Sequence, residues 1–220
     1  MPRSFIAAVI VISGLILVAP SLTMADSLRA ELEARIKAVS ENDEVRVQVI
    51  EQGRERALFC ANCHGKDGNS EKPFVPNLAA QNGIYLLQQI DNFASGKRQD
   101  YSTVMQQLTS IMSDEEKLAL SIYYASVPLK PNRETFNTDM LALGKTIYTS
   151  RCAGCHGNTG DGQRDFARIG GQQYVYLKQV LTNFRDGDSN RTSPTMEAMI
   201  QGYSDKDIDA VSSYLSQLIP

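Results

Sequence analysis

With 220 residues, 42% hydrophobic and 21% charged, the chain has an ordinary globular composition and enough length for one core or two small ones. A net charge of −3 with no basic tract excludes a nucleic-acid binder that works by neutralising phosphates. Four cysteines and two histidines supply all the thiol and imidazole chemistry available.

Residues 1–25 read as an export signal. Arg3 gives the positive start, and Phe5 to Val18 is an uncharged, mainly apolar run, too short for a typical membrane span. Pro20-Ser21 breaks the run, and Thr23-Met24-Ala25 puts small residues where a signal peptidase reads, so cleavage is expected after Ala25. An uncleaved anchor is the alternative; either way the protein is exported. Residues 26–52 are expected to form an N-terminal helical extension. Leu28, Leu32, Ile36 and Val39 share one helical stripe, and Asn42-Asp43-Glu44 opens a second helix. Packing on the first domain is its expected role, and docking to a partner is the alternative.

From Gly53 onward the chain repeats itself. A shift of 91 maps Gly53 onto Gly144, Tyr85 onto Tyr176, Phe93 onto Phe184, Ser113-Asp114 onto Ser204-Asp205 and Tyr123 onto Tyr214. Two copies of one small all-α domain follow, at 53–127 and 139–220, joined by a linker at 128–138 that contains Pro128, Pro131 and Asn132. Each copy should have a first helix, a glycine-bearing loop, a middle helix, a methionine-bearing loop and a last helix. Leu86, Ile90 and Phe93, and then Leu177, Val180, Leu181 and Phe184, give the middle helices their apolar faces. Ser113-x-x-Glu116 and the weaker Ser204-x-x-Asp207 are capping boxes for the last helices.

The first helix of each copy leads into Cys60-Ala61-Asn62-Cys63-His64 or Cys152-Ala153-Gly154-Cys155-His156, where the shift becomes 92. The second copy thus has one extra residue ahead of its first cysteine. C-x-x-C-H is the attachment sequence of c-type haem. Two thiols three positions apart reach the vinyl groups on one edge of the ring, and the adjacent histidine offers its imidazole to the iron. A structural zinc shared by four cysteines, or a redox dithiol, are the alternatives, but neither requires a histidine after the second cysteine. Cys60, Cys63, Cys152 and Cys155 are therefore expected to bind two haems covalently, with His64 and His156 as proximal iron ligands.

With no third histidine, methionine is the remaining source of a sixth ligand. Of Met105, Met112, Met140, Met196 and Met199, only Met105 and Met196 occupy equivalent positions, each eight residues before a capping serine. A core-packing role for the pair is the alternative.

These features together resemble class I cytochrome c. They include C-x-x-C-H, the middle segments Tyr85-Leu86-Leu87-Gln88 and Tyr176-Leu177-Lys178-Gln179, the paired methionines and the Ser-Asp-capped last helices. Two such domains behind an export signal resemble the dihaem cytochromes of the c4 type, over about residues 53–220. The resemblance implies axial Met105 and Met196. It also implies that Gly53 and Gly144 let the first helix cross closely against the last, near Tyr123 or Tyr124 and near Tyr214. A proline carbonyl ahead of the middle segment steadies the proximal histidine in the family. Pro76 matches, but Ala167 stands there in the second copy, a departure that bears on the tuning of that haem. The extension at 26–52 is longer than the family pattern.

The resemblance further implies a periplasmic carrier of single electrons and not an enzyme. Its redox partners would be a quinol-oxidising bc-type membrane complex and a haem–copper oxidase or nitrogen-oxide reductase, with no nucleic acid and no small-molecule substrate. The rival is a haem-carrying subunit of a larger periplasmic dehydrogenase or, more remotely, a dihaem peroxidase.

Overall fold

The computed structural model describes residues 24–100, 102–132, 136–163, 165–188, 191 and 193–218, and these are helical with no β-strand. The leader expected at 1–25 lies outside the described residues except for Met24 and Ala25, where the first helix begins. Among the described residues no helix is long and apolar enough to cross a membrane.

The first half contains α1 (Met24–Glu41), α2 (Asp43–Ala57), α3 (Ala61–His64), α4 (Gly83–Ala94), α5 (Val104–Ser110) and α6 (Asp114–Ser126). Asn42 starts α2 as the sequence predicts, its side chain accepting from the backbone N–H groups of Glu44 and Val45. That helix runs without a break through the position where the repeat begins, so the extension and the first haem-motif helix are continuous. The second half contains α7 (Leu141–Ile147), α8 (Ala153–His156), α9 (Tyr174–Asp186), α10 (Pro194–Ile200) and α11 (Asp205–Gln217). Both last helices have complete capping boxes. Ser113 exchanges bonds with Glu116, and Ser204 with Asp207, so the shorter aspartate closes the box as well as glutamate does.

The extra residue of the second copy is absorbed inside a helix. Tyr148–Cys152 forms a π-helical stretch between α7 and α8, with the N–H of Ala153 bonded to the carbonyl of Tyr148, five residues back. One residue more per turn is what an insertion into a helix produces when neither end can shift.

In each half the first helix crosses the last at a glycine. A Cβ on Gly53 would overlap the carbonyl of Ala119 and the Cβ of Tyr123; on Gly144 it would overlap the carbonyl of Ala210 and the Cβ of Tyr214. Backbone meets backbone there, and the middle helices α4 and α9 close the third side. Leu86, Leu120, Tyr123 and Tyr124 form the core of the first half, and Tyr148, Leu177, Val211 and Leu215 that of the second.

The halves differ at the back of the last helix. Leu87, Leu118 and Ile122 form an apolar face in the first half, and α1 covers it with Leu32 and Val39. One repeat further on stand Lys178, Asp209 and Ser213, with a Lys178–Asp209 ion pair at 3.0 Å. The expected stripe of α1 is therefore used for packing, although Ile36 is 40% exposed, and the side chain of Leu28 lies outside the described residues. Leu32, fully buried, should cost about 2–5 kcal/mol when truncated to alanine, by the usual cavity penalty. Lys178→Ala on the matching face of the second half should cost below about 1 kcal/mol, as half-exposed ion pairs do. Urea unfolding of the two variants checks the contrast.

The chain between the halves is pinned to both. Asn69 bonds Pro128 O at 3.1 Å and accepts from Lys130 N at 2.8 Å, while the Asn132 amide lies 2.9 Å from Gln172 O and 3.0 Å from Ser216 O.

Candidate haem sites

Each C-x-x-C-H motif winds through one turn of helix, so its two sulfurs leave the same side. Cys60 and Cys152 occupy the positions just before α3 and α8, and Cys63 and Cys155 lie three residues on. His64 and His156 end these helices with their rings buried. As free thiols, Cys60 and Cys152 are pushed up by burial, Cys152 to about 11; in a haem-loaded chain these sulfurs are thioethers and do not titrate.

The second shell fixes each imidazole. His64 Nδ1 lies 2.9 Å from Pro76 O, and His156 Nδ1 lies 2.8 Å from Ala167 O. A carbonyl can only accept, so Nδ1 carries the proton and Nε2 keeps its lone pair, the tautomer an iron needs. Burial lowers the pKa of both histidines and outweighs the raising effect of the carbonyl bonds, so both rings stay neutral and able to ligate. The donor set therefore fits haem in both halves. The departure at Ala167 does not remove the contact, because the bond uses a backbone carbonyl that alanine supplies as well as proline. Among the described residues no three His, Cys, Asp or Glu side chains gather to hold a metal ion, which opposes the shared-zinc reading.

The methionines sort themselves by place. Met112 is buried in the core with Ala57, Leu86 and Tyr124, and Met199 is exposed. Met105 and Met196 are both half-buried, in the first turn of α5 and of α10, two short helices that pack on α4 and α9.

Between the halves lies a group that repeat reasoning did not find. Arg98 Nη2 donates to Tyr176 Oη at 3.1 Å, Arg191 Nη1 donates to Tyr85 Oη at 2.8 Å, and the two arginines pair through their backbones as an antiparallel bridge. Arg98 stacks on Phe93 and Arg191 on Phe184, each guanidinium within 5 Å of the ring centroid at 4.5 and 4.7 Å. Burial pushes the Tyr176 phenol up, but the charges of Arg98 and Arg191 outweigh it and hold the group below its ordinary value. Two guanidiniums and two phenols at a half-buried seam are suited to receive the carboxylate edges of haems. The shift of 91 pairs Arg98 with Ser189 and not with Arg191, which is why the repeat did not reveal them; the tyrosines it did align.

A third arginine, Arg168, is buried and bonded to carbonyls. Its Nε donates to Ala80 O at 3.1 Å and its Nη1 to Gly170 O, and burial lowers its pKa to about 10, so it remains charged at neutral pH.

Residues 141–218 match the cytochrome c family model. The chain is 33% identical over 180 residues to a cytochrome c4 from Pseudomonas aeruginosa, covering 76% of this chain and 87% of that protein. The structure is similar to reduced cytochrome c4 from Pseudomonas stutzeri, with a TM-score of 0.69 and 30% identity over 76% of this chain and 97% of the other. It is also similar to part of a thiosulfate dehydrogenase from Marichromatium purpuratum, with a TM-score of 0.66 and 25% identity over 76% of this chain and 40% of that one.

Proposed function

Because the chain belongs to the cytochrome c4 family, we propose that it is a periplasmic carrier that passes single electrons from a quinol-oxidising bc-type complex to a terminal oxidase or reductase. Two covalently attached haem c groups are its cofactors. When bound they supply the one-electron couple of iron; the chain supplies everything that limits them to it. Cys60 and Cys63, and Cys152 and Cys155, tether them. His64 and His156 present neutral Nε2 atoms, and Met105 and Met196 would offer thioethers as the other iron donors. The cluster of Arg98, Arg191, Tyr85 and Tyr176 sits between the halves, where it would hold the propionates.

The observation that carries this reading is the matched placement of Met105 and Met196 on α5 and α10, while Met112 is used in the core and Met199 points outward. An iron held by one histidine and one methionine would have no open position for a substrate, and methionine favours the higher potentials of a respiratory carrier. Denaturing mass spectrometry should show a chain heavier by two haems. The reduced protein should fail to bind carbon monoxide at neutral pH and should not turn over peroxide. Stoichiometric carbon monoxide binding at one haem would move the assignment to an enzyme.

The likeness to a thiosulfate dehydrogenase favours a second reading, in which the chain is the haem-carrying part of a larger periplasmic dehydrogenase. Purification from native cells separates the two. A carrier comes free, and a subunit comes in fixed stoichiometry with a catalytic partner.

A further inference from the structure

The two halves are clasped by a pair of glutamines that the function above leaves without a role. Gln81 and Gln172 stand 91 positions apart, the shift of the repeat itself, and each buried side chain reaches into the opposite half. Gln81 Oε1 accepts from the N–H of Arg168 at 2.6 Å, and its Nε2 donates to Arg168 O at 2.9 Å. Gln172 does the same to Asn77, accepting from its N–H at 2.7 Å and donating to its carbonyl at 3.0 Å. Each Oε1 also accepts the N–H of the next residue in its own chain, Asn82 at 2.9 Å or Gln173 at 3.0 Å. With backbone donors on the oxygen and a carbonyl on the nitrogen, the orientation of both amides is determined.

The peptide groups they hold are the ones that hold the histidines. The N–H of Arg168 and the carbonyl of Ala167 belong to one peptide group, and that carbonyl accepts from His156 Nδ1. The N–H of Asn77 and the carbonyl of Pro76 belong to another, and that carbonyl accepts from His64 Nδ1. An amide whose N–H is already bonded is polarised, and its oxygen accepts more strongly. A stronger acceptor at Nδ1 makes Nε2 more basic.

We propose that Gln81 tunes the haem site of His156 and Gln172 that of His64, each across the seam, by polarising the Ala167–Arg168 and Pro76–Asn77 peptides. Both are positioning residues, acting through a peptide and a histidine. A more basic proximal imidazole favours ferric over ferrous iron, so each glutamine holds down the potential of the haem in the other half. The coupling is crosswise, which a merely structural role would not produce.

The inference rests on His64 and His156 being the proximal ligands proposed above, and the test keeps the two apart. Holoprotein carrying Gln81→Met, Gln172→Met or Gln173→Met is titrated spectroelectrochemically, with each haem assigned to its half by paramagnetic NMR. Gln81→Met should raise the potential of the haem on His156 alone and shift the resonance of its Nδ1 proton. Gln172→Met should do the same to the haem on His64 alone. Gln173→Met loses bonds across the seam to Ser70 O and to Asn77 Oδ1 but leaves the N–H of both peptides held, so neither potential should move. Unchanged potentials in the first two variants, equal shifts of both haems, or a shift confined to the glutamine's own half overturns the proposal. Should the methionine variants fail to fold, Gln81→Glu keeps the accepting oxygen, loses the bond given to Arg168 O and, when ionised, adds a negative charge that itself lowers the potential. Its potential should stay at or below that of the parent, and a rise overturns the proposal. Failure of the ligand assignment shows separately, as a parent protein whose mass lacks two haems.

Discussion

Gly144→Val is expected to open the second half of the molecule, at a cost of about 3 kcal/mol or more, the upper range for overpacking a tight contact. The new side chain would meet the carbonyl of Ala210, part of the backbone of α11, which cannot rotate away as a side-chain tip could. α7 and α11 must therefore separate, and Tyr148, Val211 and Leu215 lose their mutual contacts. Gly53→Val should do the same in the first half, against Ala119 and Tyr123. Urea unfolding followed through the absorbance of each haem should show a low midpoint for the half that carries the substitution. A midpoint within experimental error of the parent would mean that the close crossing does not support the fold.

The second large effect concerns the methionines. Met105→Ala and Met196→Ala should each abolish the near-red methionine-to-ferric-iron band of one haem while leaving the other intact. Met112→Ala should keep both bands and cost about 2–5 kcal/mol, because its side chain is buried among Leu86, Leu120 and Tyr124. Met199→Ala, at an exposed position, should keep both bands and change stability by no more than about 0.5 kcal/mol. Near-infrared spectra of the oxidised variants decide the assignment. Loss of a band in Met112→Ala or Met199→Ala would show that the repeat register is wrong at the axial ligand.

What could be read in the sequence was whatever depends on side-chain type at fixed spacing. The C-x-x-C-H motifs, the serine caps of α6 and α11 and the apolar faces of α4 and α9 are of this kind. The glycine crossings at Gly53 and Gly144 were expected only from the family resemblance, and the structure supplies their reason, since a Cβ there would meet backbone. Contacts made by backbone atoms were not legible. The reading treated Ala167 as a departure because proline was missing, yet a carbonyl is common to every residue, and His156 finds it at 2.8 Å. Arg98 and Arg191 escaped for another reason. They stand five and seven residues after the aligned Phe93 and Phe184, so the residues that meet at the seam are not equivalents in the repeat. The insertion before Cys152 was visible as a change of shift, but its accommodation as a π-helical stretch depends on both helix ends being held. The unbroken α2 shows the same limit, since a repeat boundary in sequence need not be a break in a helix.

The covered face of the first half makes the two repeats unequal as building blocks. The second half carries Lys178, Asp209 and Ser213 where the first carries Leu87, Leu118 and Ile122, so it has no large aliphatic face to cover there; Lys178 and Asp209 reach water, and Ser213 is buried. A gene fragment beginning near Asn137 therefore encodes a unit whose back face is already polar. A fragment beginning at Gly53 leaves three large aliphatic side chains uncovered and invites self-association. Domain dissection, or grafting one repeat into another scaffold, should cut the first unit ahead of α1 and not at the edge of the repeat.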